Sequence, residues 1–165
     1  NGPVHISRLV NCPYWTRSRK ESGMADADKV AMLVMELRRT NQDGSPVYPK
    51  GKGMLHYIGP DGEKWCCMGV ASHVAAMHGL DVTREMVPAG DGTREVFGDS
   101  SDEVLCPEVA DWYGFVNRNP SLRTEDWFWF SAGAWNDTGT GNGPEDDFEE
   151  IADAFSRTYL EGRQW

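Results

Sequence analysis

The residues of this chain whose types and spacing could do chemistry centre on Trp65-Cys66-Cys67-Met68-Gly69-Val70, where an expected strand runs into an expected helix. A thiol at such a junction lies close to the free N–H groups of the helix start. Those groups lower a thiol pKa and can serve as an oxyanion hole. The nucleophile also needs a base, and His56 on the preceding strand is placed to face Cys66 across a hairpin, with Asp61 or Asp137 orienting the imidazole. Cys66, Cys67, His56 and Asp137 therefore form the candidate catalytic set of a thiol-dependent hydrolase or transferase. A plainer reading competes with it, in which Cys67 is a small core residue, Cys66 its half-buried neighbour and His56 a surface histidine. Free cysteine is among the most buried residue types, and the plainer reading is preferred.

Metal and cofactor chemistry find little to work with. The four cysteines are Cys12, Cys66, Cys67 and Cys106, and none forms a Cys-x-x-Cys pair. Bridging the adjacent Cys66 and Cys67 would force their Cα atoms to about 3.8 Å, below the disulfide range. Reduced thiols are expected. His73 follows Cys66 by two helical turns, about 10 Å, too far to share a ligand. His78, beside Gly79, reads as a C-terminal helix cap. The glycine-rich stretch 136–143 lacks the lysine of a phosphate-binding loop and the acidic spacing of a calcium loop, so it reads as a flexible turn. Neither a metal site nor a cofactor is expected.

The second candidate site is aromatic. Trp112, Trp127, Trp129 and Trp135 crowd the second half of the chain and could form a stacking or anchoring surface. If 127–130 is a strand, Trp127 and Trp129 share one face and Phe128 and Phe130 the other, and at least one pair belongs in the core. Exposed tryptophan ringed by acids suits a protein partner better than nucleic acid.

The elements that must hold these residues follow from periodicity. Val30, Leu33, Val34 and Leu37 form one apolar stripe of a helix over about 26–39. Arg38 and Arg39 fall at the negative end of its dipole. Residues 53–67 read as a hairpin turning at Pro60-Asp61-Gly62. Cys67, Val70, Ala71, Val74 and Met77 then take helical spacing, and the many small residues among them predict close packing. Residues 88–103 read as an exposed loop with one short strand at Val96-Phe97, and Pro107 starts a short helix through Tyr113. Pro144 reads as the first residue of a final helix carrying Phe148, Ile151, Ala152, Phe155 and Tyr159. The expected fold is α+β: a small antiparallel sheet (the 53–67 hairpin plus a strand near 127–130) packed with three or four helices.

Lys64-Trp65-Cys66-Cys67-Met68-Gly69-Val70, preceded by Gly51-Lys52-Gly53-Met54-Leu55, resembles a family of small bacteriophage and prophage proteins. Their shared pattern is a glycine-basic-glycine stretch, a hairpin and an aromatic-Cys-Cys-Leu-Gly-Val helix start. Trp135-Asn136-Asp137 and the later Phe148-Glu149-Glu150-Ile151-Ala152-Asp153 look like that family's second block, so the likeness spans roughly 27–78 and 134–156. Met68 stands where the family carries leucine, and position 56 is not a fixed histidine there. The family has no assigned activity, so the resemblance implies a phage or prophage origin and a shared fold.

Length and charge bound the remaining possibilities. The 165 residues carry a net charge of −10, with 39% apolar and 11% aromatic residues, enough for a packed core. Residues 1–20 carry +4, residues 21–80 carry −1 and residues 81–165 carry −13. The expected organisation is a basic arm or leader over 1–23, which packs on the acidic body in its plainest reading, and a single α+β domain over 24–165. The acidity argues against nucleic-acid binding through a basic face, and no stretch approaches the length of a membrane span. A cytosolic accessory protein that binds a protein partner is the leading expectation. The thiol enzyme and a virion or assembly component are the alternatives, and the oligomeric state is left open.

Overall fold

The computed structural model describes residues 24–100, 104–138 and 147–161; the basic arm and Pro144 lie outside them. Helix α1 spans Ala27–Leu37, and Asp26 caps it by accepting from Lys29 N. Its buried stripe is the expected one, Val30, Leu33, Val34 and Leu37. Arg38 and Arg39 do more than face the dipole. Arg38 pairs with Glu149 at 3.3 Å and with Asp153 on the last helix, and Arg39 reaches Glu36 at 3.1 Å.

The hairpin forms as expected, with β1 at His56–Gly59, β2 at Gly62–Trp65 and Gly62 at φ 100° in the turn. A second hairpin, β3 (Arg84–Ala89) and β4 (Gly92–Phe97), replaces most of the loop expected over 88–103. The four strands form one antiparallel sheet in the order β2-β1-β4-β3. Proline cannot donate to a ladder, yet Pro88 lies within β3. It is accommodated because β3 is an outer strand. The other margin is covered: Trp65 N donates to Pro49 O at 2.7 Å and Gly51 N to Trp65 O at 2.6 Å, along the outer side of β2.

Helix α2, Cys67–Met77, is buried on most of its circumference and contacts α1. It also packs on α3 (Pro107–Tyr113) and α4 (Ala132–Thr138). Gly69 permits this. A Cβ there would lie 1.7 Å from Leu55 O, so the helix and the strand entry meet through backbone alone. The last helix, α5 (Glu149–Tyr159), buries Ile151, Ala152, Ala154 and Phe155 and lies against α1.

A two-stranded ribbon, β5 (Ser121–Arg123) with β6 (Trp129–Ser131), completes the fold. The strand expected over 127–130 is thus displaced. Trp127 and Phe128 lie in the turn, where Thr124 N donates to Phe128 O and Phe128 N to Thr124 Oγ1. Residues 133–138, read as part of a loop, are helical and form α4.

Candidate functional site

The thiol pair serves structure. Cys66 is the N-cap of α2, and its Sγ accepts from Gly69 N at 3.3 Å, the role a serine oxygen usually takes. Cys67 N–H donates to Asn136 Oδ1 at 3.1 Å, and Cys67 Sγ donates to Ala132 O at 3.6 Å. Two of the helix-start donors that would stabilise an oxyanion are therefore already bound. Both thiols are buried. Loss of solvation pushes Cys66 up to about 12, against the pull of the Gly69 and Met68 N–H groups. Burial also holds Cys67 well above its ordinary value, reinforced by Cys66. Cys66, Cys67 and Cys106 are all free.

Of the proposed partners, Asp137 reaches this corner and His56 does not. Asp137 Oδ1 accepts from Gly53 N at 3.3 Å and from Asn136 Nδ2 at 3.1 Å, and Asn136 Nδ2 also donates to Gly51 O at 2.8 Å. Asn136 is completely buried and ties α4, the start of α2 and the Gly51–Gly53 bend together. Asp61 belongs to the β1–β2 turn.

His56 pairs in register with Trp65 rather than with Cys66, and its ring lies flat on the indole at 3.6 Å and 8°. Its Nδ1 is 2.7 Å from Glu95 Oε2 and its Nε2 2.7 Å from Glu63 Oε1. A carboxylate at each nitrogen leaves the imidazole no free position with which to activate a thiol. Arg84 Nε donates to Glu95 Oε1 at 2.6 Å. Burial works to raise the Glu95 carboxyl, and the bonds from Arg84 and His56 outweigh it, leaving it below the usual glutamate range. Burial lowers His73, beside Trp65, and neighbouring Arg84 lowers it further. Among the described residues, no group of three or more His, Cys, Asp or Glu side chains is arranged to hold a metal ion.

The aromatic set divides. Trp135 is only 6% exposed and packs against Phe130 at 6.1 Å, so it belongs to the core rather than to a binding surface. Trp112 is half-buried, with Lys29 Nζ 4.5 Å over its ring and Tyr113 against its edge. Trp127 and Trp129 are exposed at 71% and 60%, and so are Phe128 and Phe130 at 66% and 48%. The expectation that one pair would be core fails. The ribbon packs on α5 and α4 and buries Leu122, while all four aromatic side chains of the run stay outside. Trp127 adopts φ 67°, the left-handed region that a bulky side chain rarely occupies. The Arg123 guanidinium lies 4.0 Å over its ring. Glu125 and Asp126 stand exposed in the same turn, and Glu161 is exposed 3.8 Å from Arg123 Nη2. Alternation in the sequence picked out these aromatic residues, but it carried no signal that β5 would supply the buried side chain, Leu122, and leave the whole aromatic run exposed.

No protein-family model, curated protein or solved structure matches this chain. Among the described residues no helix is long and apolar enough to cross a membrane.

Proposed function

We propose that this chain acts by binding a protein partner through the β5–β6 ribbon, as an accessory protein of phage or prophage origin in the host cytosol. The observation that carries the reading is the run Trp127-Phe128-Trp129-Phe130, four consecutive large aromatic side chains that are all exposed. Such a run is costly to leave in water, and rigid aromatic side chains are the residues that anchor protein interfaces. The left-handed Trp127 supports it, since backbone strain is retained where the displayed side chain has a use. The phage origin rests on the resemblance of the Cys-Cys and Asn-Asp blocks, and the cytosolic placement on the unpaired buried thiols.

A thiol enzyme receives no comparable support, because Cys66 and Cys67 offer neither an exposed sulfur nor a nearby free imidazole. The test is capture from host lysate by the intact chain, repeated with Trp127→Ser and Phe128→Ser together. A protein held by the parent chain and lost from the folded double variant is the expected result. Identical retention by both overturns the reading. Host genes of phage function beside the coding sequence would bear out the origin, and a purely metabolic neighbourhood would count against it.

A further inference from the structure

We infer that the partner segment carries arginine and that the cleft beside Trp129 seats its guanidinium against Glu161; this rests on the ribbon being a protein-binding surface. The cleft has a volume of about 500 Å³ and is lined by Trp129, Tyr159, Phe115 and Pro120, with Asn117 and Glu161 among its polar residues. Glu161 is the one charged residue lining it among the described residues. Flat aromatic walls with a single carboxylate match a planar cation, which stacks by its face and hydrogen-bonds by its edge. Val116, 74% exposed in the same lining, offers apolar surface to the methylene stem of such a side chain.

The protein's own Arg123 already shows this mode of seating. Its guanidinium covers Trp127 at 4.0 Å, and its Nη2 donates to Arg157 O at 3.4 Å. That Nη2 forms a long ion pair with Glu161 Oε2 at 3.8 Å, short of hydrogen-bond contact, so a guest guanidinium would share this carboxylate through its remaining lone pairs. Charge around the cleft favours the same guest. Glu125, outside the cleft lining, is taken by Arg157 at 3.3 Å, which leaves Glu161, at 61% side-chain exposure, as the carboxylate the cleft offers, while Arg123 and Arg157 are tucked in at 19% and 16%. A second copy of this chain would bring the same carboxylate and the same exposed aromatic run against themselves, so the occupant assigned here is a basic segment of another protein.

The test titrates the full chain with a short fluorescent peptide of alternating arginine and glycine, followed by anisotropy at low and moderate salt. Saturable, salt-weakened binding is expected, with a lysine–glycine peptide weaker by about threefold or more, since ammonium lacks the planar fork. Glu161→Gln and Trp129→Ala should each weaken the arginine peptide by about tenfold, the effect of removing one charge-assisted or cation–π contact. Equal affinity for both peptides, or Glu161→Gln binding like the parent, overturns the inference. So does self-association at the titrating concentrations, which would assign the cleft to a second copy. A carbodiimide crosslink from Glu161 to Lys20 within one monomer would also overturn it, by giving the cleft to the chain's own leading segment. The two levels separate cleanly. If the captured partner is lost with the ribbon variant but survives Glu161→Gln, the surface stands and the arginine preference falls.

Discussion

Trp127 occupies a backbone conformation in which glycine would be at ease, and its indole is the most exposed of the four aromatic groups in its run. Holding a bulky residue at φ 67° costs about 1 kcal/mol or more, offset in part by the Arg123 guanidinium over the ring. Trp127→Gly should therefore leave the unfolding free energy measured in urea unchanged or raised, by up to about 1 kcal/mol, while removing partner capture. A clear loss of stability would show that Arg123 and Trp127 serve the fold. Asn136 has the opposite character. Its side chain satisfies Cys67 N–H and Gly51 O inside the protein, so Asn136→Ala strands one donor and one acceptor. A loss of about 2–4 kcal/mol is expected in denaturant unfolding. A smaller loss would mean that water replaces the amide.

Helix α2 and the entry to β1 meet without side chains at Gly69, which makes that junction intolerant of even one methyl group. Gly69→Ala places a carbon 1.7 Å from Leu55 O, a position that can be relieved only by moving the helix. Leu55 O also accepts from Cys66 N at 3.0 Å, so the shift would cost the N-terminus of α2 as well. Destabilisation above about 3 kcal/mol is expected by thermal melting, and a near-parental Tm would show that α2 can slide. Elements of this kind were legible where one period dominated: α1, the first hairpin, α2 and α5 each follow a clean apolar repeat or turn signal. β3 was not, because Pro88 and the Gly90-Asp91-Gly92 turn look like loop until an outer strand position makes the proline harmless. The His56–Glu95 contact was hidden for a related reason: it depends on β1 pairing with β4, 39 residues away in sequence. Helix α4 is too short to show a period, and Asn136 reads as a turn residue until its buried partners are known.

For the molecule as a whole, buried acids of high pKa set an alkaline limit. Burial pushes Cys66 from an ordinary 9.0 to about 12 and holds Cys67 well above 9.0. Burial also raises Tyr48, helped by Glu36, and Tyr159, each from 10.0 to about 12. The unfolded chain releases these protons before the folded one does. The stability they provide is complete below pH 9 and drains away as pH rises toward 12, by about 1.4 kcal/mol per pH unit for each fully buried thiol. The urea midpoint should fall steeply between pH 9 and 11, and less steeply in Cys66→Ser. A flat profile over that interval would contradict the burial of the pair.

The margins of the four-stranded sheet have a consequence for behaviour in concentrated solution. With Pro88 interrupting the donors on β3 and residues 49–51 hydrogen-bonded alongside β2, neither rim offers an uninterrupted template onto which a stray chain could crystallise as another strand. Any tendency to clump should then be confined to a small appendage, and trimming its aromatic groups should yield a freely soluble particle with the same interior.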